Sequence, residues 1–250
     1  MIYKKRKFFL NSIRVLHQNE DLGELLDKTK YDYMTVISYR DLGLEKQGFG
    51  LIKKKLANIR LNGSLEEITA KFARRTQQEI MKTFKITELK FTVGDTDFHG
   101  TYALYRDFEL AQGRKPWSRE SLAGLMNFNA YYKGELIVAV PCYDLYPYLQ
   151  VRAIFSKRLS IGDDNKDLYK IIGSATRRLI FEICKYGKEN DYEYVGLGSV
   201  NYSTAQKSNV AQFKMFFGSE IGDEYTYTHK SRKFLFLEKI RSAIKKILWF

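Results

Sequence analysis

Tyr194-Val195-Gly196-Leu197-Gly198 and, further along, Phe213-Lys214-Met215-Phe216-Phe217-Gly218 decide how this chain folds. The span from Tyr192 to Leu197 is a β-branched and aromatic run closing on glycines, which predicts a strand, and Ala205 to Phe216 predicts the helix that follows it. Before them, Leu168, Ile172, Ala175, Leu179, Ile183 and Tyr186 recur at three- and four-residue spacing, the stripe of an amphipathic helix packed on a sheet. Tyr131-Tyr132 and Leu136 to Val140, separated by Lys133-Gly134-Glu135, form a hairpin pattern, and Leu149 to Phe155 predicts one more strand after Pro147. The centre of the chain thus reads as an antiparallel meander.

Toward the N-terminus, Ser64-Leu65-Glu66-Glu67 is a capping box, and a long helix is expected from there to about Phe84. Thr87 to Val93 reads as a strand and Asp95 to Gln112 as a helix ended by Gly113. Ser118 is expected to cap a short helix reaching Asn127. Tyr33 to Tyr39 reads as a strand closed by Asp41-Leu42-Gly43, but the first sixty residues give no complete domain. The expected division is a partial segment over 1–60, a main domain over 61–230 and a C-terminal helix over 231–250.

The 250 residues are long enough for one large domain, and 44% apolar with 28% charged residues is an ordinary globular composition. Cys142 and Cys184 have neither metal-ligand spacing nor a secretory context, so they read as reduced, structural thiols of a cytoplasmic protein. The basic N-terminus lacks the apolar run of a signal peptide, and no segment reaches the roughly 20 apolar residues of a spanning helix. A formal charge of +13 calls for an acidic partner, whether nucleic acid, anionic lipid or a polyphosphate carrier, or reflects a solvated basic surface.

The element order and the residues that punctuate it resemble the FemAB-like branch of the GNAT acyltransferase superfamily, over roughly Leu61 to Tyr227. The helical run Arg74 to Lys85 is similar to the family's R-x-x-I-R-K-A-x-K, matching at Ile80, Lys82 and Lys85, with Gln77 and Met81 where basic residues are usual. Cys184-Lys185-Tyr186-Gly187 and Tyr194 to Gly198 follow the family's order. Phe213 to Gly218 matches its F-K-x-x-F-G. Gly196 stands where the family's strand has an aspartate. The resemblance implies an α/β fold, a GNAT-like mixed and largely antiparallel central sheet flanked by helices, with an N-terminal partial half-domain.

It further implies an enzyme that moves an acyl group from acyl-CoA to an amine on an amino sugar or amino acid of an envelope or polysaccharide precursor. Two alternatives stand beside it: aminoacyl transfer from charged tRNA, and a non-catalytic basic module that binds lipid or nucleic acid. Acyl transfer needs a neutral nucleophile and donors for the oxyanion but no side-chain nucleophile. That agrees with a sequence lacking a G-x-S-x-G elbow, a Cys-His pairing and a metal-ligand cluster, so no metal is expected.

The carrier is a polyanion in either enzymatic reading. Arg75, Lys82 and Lys85 share one side of their helix as a basic face, either for the carrier or simply solvated. A turn over Ser160 to Asn165 leads into the helix with Gly173 and Ser174, the candidate phosphate cradle. Lys214 either steers the carrier or is solvated. For acid-base work the candidates are Asp144, Tyr143 and Asn201. His99 is either a group that titrates near neutrality or a capping or surface residue at a helix start.

The tail from Arg232 to Phe250 places Leu237, Ile240, Ile244, Ile247 and Leu248 on one face, with Lys239, Arg241, Lys245 and Lys246 around the other. Such a helix suits an anionic membrane surface, giving a peripheral location at the inner face, or docks on the protein's own core or in a homo-oligomer.

Overall fold

Residues 2–7, 9–16, 22–95, 97–159 and 165–247 are described by a computed structural model. Its strands and helices run, in chain order, β1 Ile2–Lys7, β2 Leu10–Leu16, β3 Tyr33–Ser38, β4 Gly50–Arg60, α1 Leu65–Ala70, α2 Arg74–Thr83, β5 Leu89–Val93 and α3 Phe98–Ala111. There follow β6 Met126–Tyr132, β7 Glu135–Leu145, β8 Tyr148–Val151, β9 Phe155–Ser156, α4 Lys166–Glu189, β10 Tyr194–Ser199, α5 Ala205–Met215, β11 Glu220–Lys230 and α6 Arg232–Ile247. The chain divides into two compact units, Met1–Lys55 with Gly222–Phe250, and Leu56–Ile221.

In the first unit β1 pairs antiparallel with β2, β2 parallel with β3, and β3 antiparallel with β11, beyond which lies the first half of β4. Alternation along β2 and β3 sends Ile13, Val15, Met34 and Val36 into a small core with Leu44, Phe49 and Tyr227. The Tyr227 hydroxyl donates to Asp41 Oδ1 at 2.6 Å and accepts from the Leu42 N–H at 2.8 Å, and burial together with that carboxylate pushes its pKa up to about 12.

The second unit carries the order β4-β10-β8-β7-β6-β5, antiparallel throughout except for the parallel pair β10-β8. Strand β7 shows how the sheet is covered. Val138, Val140 and Cys142 face a large core built on α4, with Ile172, Ala175, Leu179 and Ile183, whereas Ala139 and Tyr143 face a second cluster with Leu104, Tyr105 and Phe155 on the α3 side. Lys133 (φ 52°) and Gly134 (φ 81°) make the two-residue turn of the β6-β7 hairpin, the left-handed pair that matches strand twist. These features give the mixed, mainly antiparallel GNAT-like sheet with flanking helices that the sequence predicts.

Three elements differ from expectation, the first being the single strand predicted from Leu149 to Phe155, which is divided into β8 and β9. The helix predicted from Ser64 to Phe84 is broken: Ala73 is extended and its N–H donates to the Phe216 carbonyl at 2.8 Å, while Phe72 is buried edge-on to Phe217 at 5.3 Å. A tertiary hydrogen bond and an aromatic contact thus replace a turn of helix. After Ser118 there is only a 3₁₀ turn, Arg119–Leu122, without a side-chain cap, and Met126 and Asn127 already belong to β6.

The capping box forms as read. Ser64 Oγ accepts from the Glu67 N–H at 3.2 Å and Glu67 Oε2 from the Ser64 N–H at 2.7 Å. Ser64→Ala is therefore expected to cost about 1 kcal/mol in chemical denaturation. Both cysteines are free and buried, and burial raises their thiol pKa values well above the ordinary range, so neither is a ready thiolate. Among the described residues no helix is long and apolar enough to cross a membrane.

Candidate functional site

Among the described residues of the second unit, strands β8 and β10 are the one place where neighbours run parallel, and their ladder is short. It joins Tyr148 to Tyr194, Leu149 to Val195 and Gln150 to Gly196, and stops. Beyond it β8 stays with β7, through Val151 opposite Cys142, while β10 shifts register on β4 to bring Ser199 opposite Leu56. Two strands that part while each remains held on its outer side leave an opening between their C-terminal ends, where side chains take up backbone carbonyls: Gln150 Nε2 donates to Val151 and Lys214 Nζ to Ser199.

Leu149, Val151, Val195 and Leu197 enter the α4-side core, so Tyr148, Gln150, Tyr194 and Gly196 face the other way. On that face Tyr148 and Tyr194 stack with centroids 4.9 Å apart. Gln150 Nε2 donates to the Gly196 carbonyl at 3.1 Å, and the amide lies in the space that a side chain at 196 would need. Gly196 therefore has a local reason: Gln150 occupies the place given to aspartate in the resembled family.

Lys214, half-buried near the end of α5, closes one side of the opening. Its ammonium donates to the Ser199 carbonyl at 2.6 Å, and a Cβ built on Gly198 would lie 3.6 Å from Lys214 Nζ and 3.9 Å from Gln150 Nε2. Gly198 has φ 81°, a conformation that favours glycine, and its lack of a side chain keeps the ammonium and the amide on either side of open backbone. Burial lowers the Lys214 pKa to about 8.

Arg152 follows β8 on the same side. Its guanidinium carbon stands 4.0 Å from the Trp117 ring centre and 5.8 Å from that of Tyr143, and its Nε is buried without a hydrogen-bond partner. Trp117 is held by its backbone, its N–H donating to the Tyr105 hydroxyl at 2.6 Å and its carbonyl accepting from Tyr102 at 3.2 Å.

The other sequence candidates scatter. Tyr143, opposite Gln150 in the register, lies on the open face. Asp144 lies on the opposite face, beside the Tyr146–Pro147 turn at the start of β8, where its Oδ1 accepts from Tyr192 at 2.9 Å. The two are thus not brought together. Asn201 is exposed beyond β10, its Oδ1 accepting the Ser203 N–H at 2.8 Å.

Lys82 on α2 and Lys85 just beyond its end line one shallow depression with Arg74, Gln77 and Met81, whereas Arg75 is engaged by Glu79 at 3.1 Å. Gly173 and Ser174 do not form a helix N-terminus. They sit two turns into α4, where backbone N–H groups are already committed to the helix, and the Gly173 carbonyl accepts from Arg177 at 2.9 Å. The free N–H groups belong to the first turn, which Asn165 caps through the Leu168 N–H at 3.1 Å. The rest of the predicted cradle, Ser160 to Asp164, lies outside the described residues.

A separate cavity of about 490 Å³ between α3 and the β6-β7 hairpin holds none of the predicted residues and is lined by Asp97, Asp107, Glu135 and Lys157 among apolar side chains. Among the described residues no group of His, Cys, Asp and Glu is placed to hold a metal ion.

Of the side chains around the opening, Lys214 and Tyr143 are candidates read from the sequence, whereas Gln150, Arg152 and Trp117 are not. For Gln150 a signal existed: it is the polar member of the alternating Tyr148-Leu149-Gln150-Val151, paired across the ladder with a glycine. Arg152 and Trp117 meet only through tertiary packing.

No family model matches the chain, and no curated protein matches it in sequence. Solved structures do share its architecture. FemX superimposes with a TM-score of 0.64 at 10% identity, over 90% of this chain and 83% of that one. The C-terminal domain of a protein described as a lysylphosphatidylglycerol synthetase from Agrobacterium fabrum gives 0.59 at 12% identity, over 97% and 85%. L-PGS from Bacillus licheniformis gives 0.56 at 14%, over 88% and 78%. At such identities the likeness is one of fold alone, and it agrees with the fold that the resemblance of the motifs implies.

Proposed function

We propose that the protein is an acyltransferase that moves an activated acyl group from a carrier to an amine, with the reacting carbonyl placed between the parting ends of β8 and β10. The carrying observation is Lys214, a half-buried ammonium fixed to the Ser199 carbonyl beside the bare backbone of Gly198. In this reading the neutral nitrogen of the acceptor attacks the carbonyl carbon, and the C–N bond forms as the carbonyl oxygen becomes an oxyanion. The Lys214 ammonium and nearby strand N–H groups hold that oxyanion, where partial burial strengthens the interaction. Collapse breaks the bond to the carrier, and the departing thiolate or alkoxide takes up the proton lost by the nitrogen.

The first form of the proposal takes acyl-CoA as donor and an amino sugar or amino acid of an envelope precursor as acceptor. Lys82 and Lys85, beside Arg74, offer charge to a polyanionic carrier. In the second form the donor is an aminoacylated tRNA. Its support is that a domain named for lysylphosphatidylglycerol synthesis, and FemX, share this architecture over most of their length.

Incubation of the full chain with acyl-CoA and a panel of amino-sugar nucleotides is expected to release free thiol. Charged tRNA retained on a filter at moderate salt, together with no thiol and no calorimetric binding of CoA, would select the second form. Absence of all three signals would remove the transferase reading.

A further inference from the structure

The first unit bears a surface that the transferase proposal does not use. Every residue of β1 from Ile2 to Arg6 is exposed, so this edge strand has no covered face. Lys4, Lys5, Arg6 and Lys30 line one groove with Asn11, Ser12 and Thr29. Lys30 is partnered by Asp27 at 3.3 Å, but Lys4, Lys5 and Arg6 have no ion pair among the described residues. The nearby Asp32 is paired elsewhere: Lys233 Nζ stands 3.9 Å from its carboxylate, which also accepts from the Asn11 N–H at 3.0 Å and the Ser231 hydroxyl at 3.1 Å.

Where the chain turns from β1 to β2, Phe9 is 56% exposed and lies against the first turn of α6: Lys233 Nζ donates to its carbonyl at 2.7 Å and stands 5.0 Å from its ring centre. On α6, Phe234 and Leu237 are the half-buried residues, and Phe234 stacks on Tyr33 at 4.9 Å. Leu235, Phe236 (64% exposed) and Ile240 instead face outward among Arg232, Lys233 and Lys239. Of the apolar face read from the sequence, Leu237 is half-buried and Ile240 is exposed beside Phe236, while Ile244, Ile247 and Leu248 lie outside the side chains described.

We propose that this surface docks the protein on an anionic phospholipid bilayer, the groove of Lys4, Lys5 and Arg6 receiving headgroup phosphates while Phe9, Phe236 and Ile240 enter the interface. Large apolar side chains, at 38–64% exposure for Ile2, Tyr3, Phe9, Leu235, Phe236 and Ile240, together with Lys4, Lys5 and Arg6 suit a lipid surface better than their alternatives. A nucleic acid would match the charge but leave the aliphatic residues wet. A second copy of the chain would set like charges against each other. The groove adds to the amphipathic helix a second, spatially separate anion contact, so docking is oriented and not merely adhesive.

The test uses the full chain and flotation with vesicles of phosphatidylcholine alone or mixed with phosphatidylglycerol, with no acyl transfer measured, so its outcome is independent of the transferase reading. Binding to the mixed vesicles only, weakening with salt, is expected. The K4Q/K5Q/R6Q variant, whose altered side chains are exposed, should melt like the parent chain and lose about 100-fold in partition. F9S/F236S should lose binding too, and its residual binding should be more salt-sensitive. Equal flotation on uncharged vesicles, unchanged binding by both variants, or a salt-resistant dimer that those variants dissociate would overturn the proposal. So would tighter binding to an RNA hairpin through the same lysines.

Discussion

Lys214→Met is expected to lower kcat by about 100-fold or more while changing KM far less, because in the proposed reaction the lost interaction is one made to charge that develops only in the transition state. The pH profile supplies a reading that a purely structural lysine would not. With its pKa lowered to about 8, Lys214 is an effective cationic donor below that value, so the rate should fall as pH rises through about 8. Lys214→Arg, if it folds, keeps its charge at higher pH and should move that falling limb upward. A Lys214→Met rate within about threefold of the parent would exclude Lys214 from oxyanion stabilisation.

The same shift has a consequence for stability. Folding depresses this lysine from an ordinary value of 10.5, so between about 8 and 10.5 the unfolded chain binds more protons than the folded one. Stability from this group therefore rises with pH across that window. Below it, the folded protein carries the cost of a partly desolvated charge that Lys214→Met lacks. Melting the two proteins side by side from pH 7 to 10 should show their difference shrinking.

The largest expected loss of stability is at Gly218. Its φ is +63°, and a Cβ there would lie 2.6 Å from the Lys71 carbonyl oxygen and 2.7 Å from Lys71 Cβ. Both are close to backbone that the Ala73–Phe216 hydrogen bond holds in place. Gly218→Ala combines left-handed strain with a main-chain clash and should cost about 3 kcal/mol or more. Gly124→Ala is the control: φ is +73° but nothing lies within 4 Å, so only the conformational term of about 1 kcal/mol should appear. Comparable losses at both positions in urea denaturation would mean that the contact with Lys71 is not the reason for glycine in this motif.

What the sequence disclosed and what it hid divide along a physical line. The Ser64 capping box, the Lys133-Gly134 hairpin and the α4 stripe are made by residues close in the chain, and each was legible. The break at Ala73 was not, because its hydrogen-bond partner is Phe216. The start of β6 was hidden by polarity: Asn127 and Asn129 are buried on this strand, where alternation analysis expects apolar residues, and Asn129 Nδ2 donates to Thr101 Oγ1 at 3.2 Å. At the site, Lys214 stood in a recognisable motif. Asp144 reads from the sequence as a carboxylate near the middle of the sheet, and the face of β7 it lies on, where it meets Tyr192, is set by register that the sequence does not carry.

The exchange at Gly196 also constrains how this chain can change. The Gln150 amide and any side chain at 196 compete for one volume, so the positions are mutually exclusive in their present geometry. An aspartate introduced at 196 alone would have to displace that amide and its bond to the 196 carbonyl, whereas the same aspartate would find room once residue 150 was shortened. The effect of either substitution thus depends on the order in which they arrive, and grafting one position at a time from a relative would misreport what each residue does.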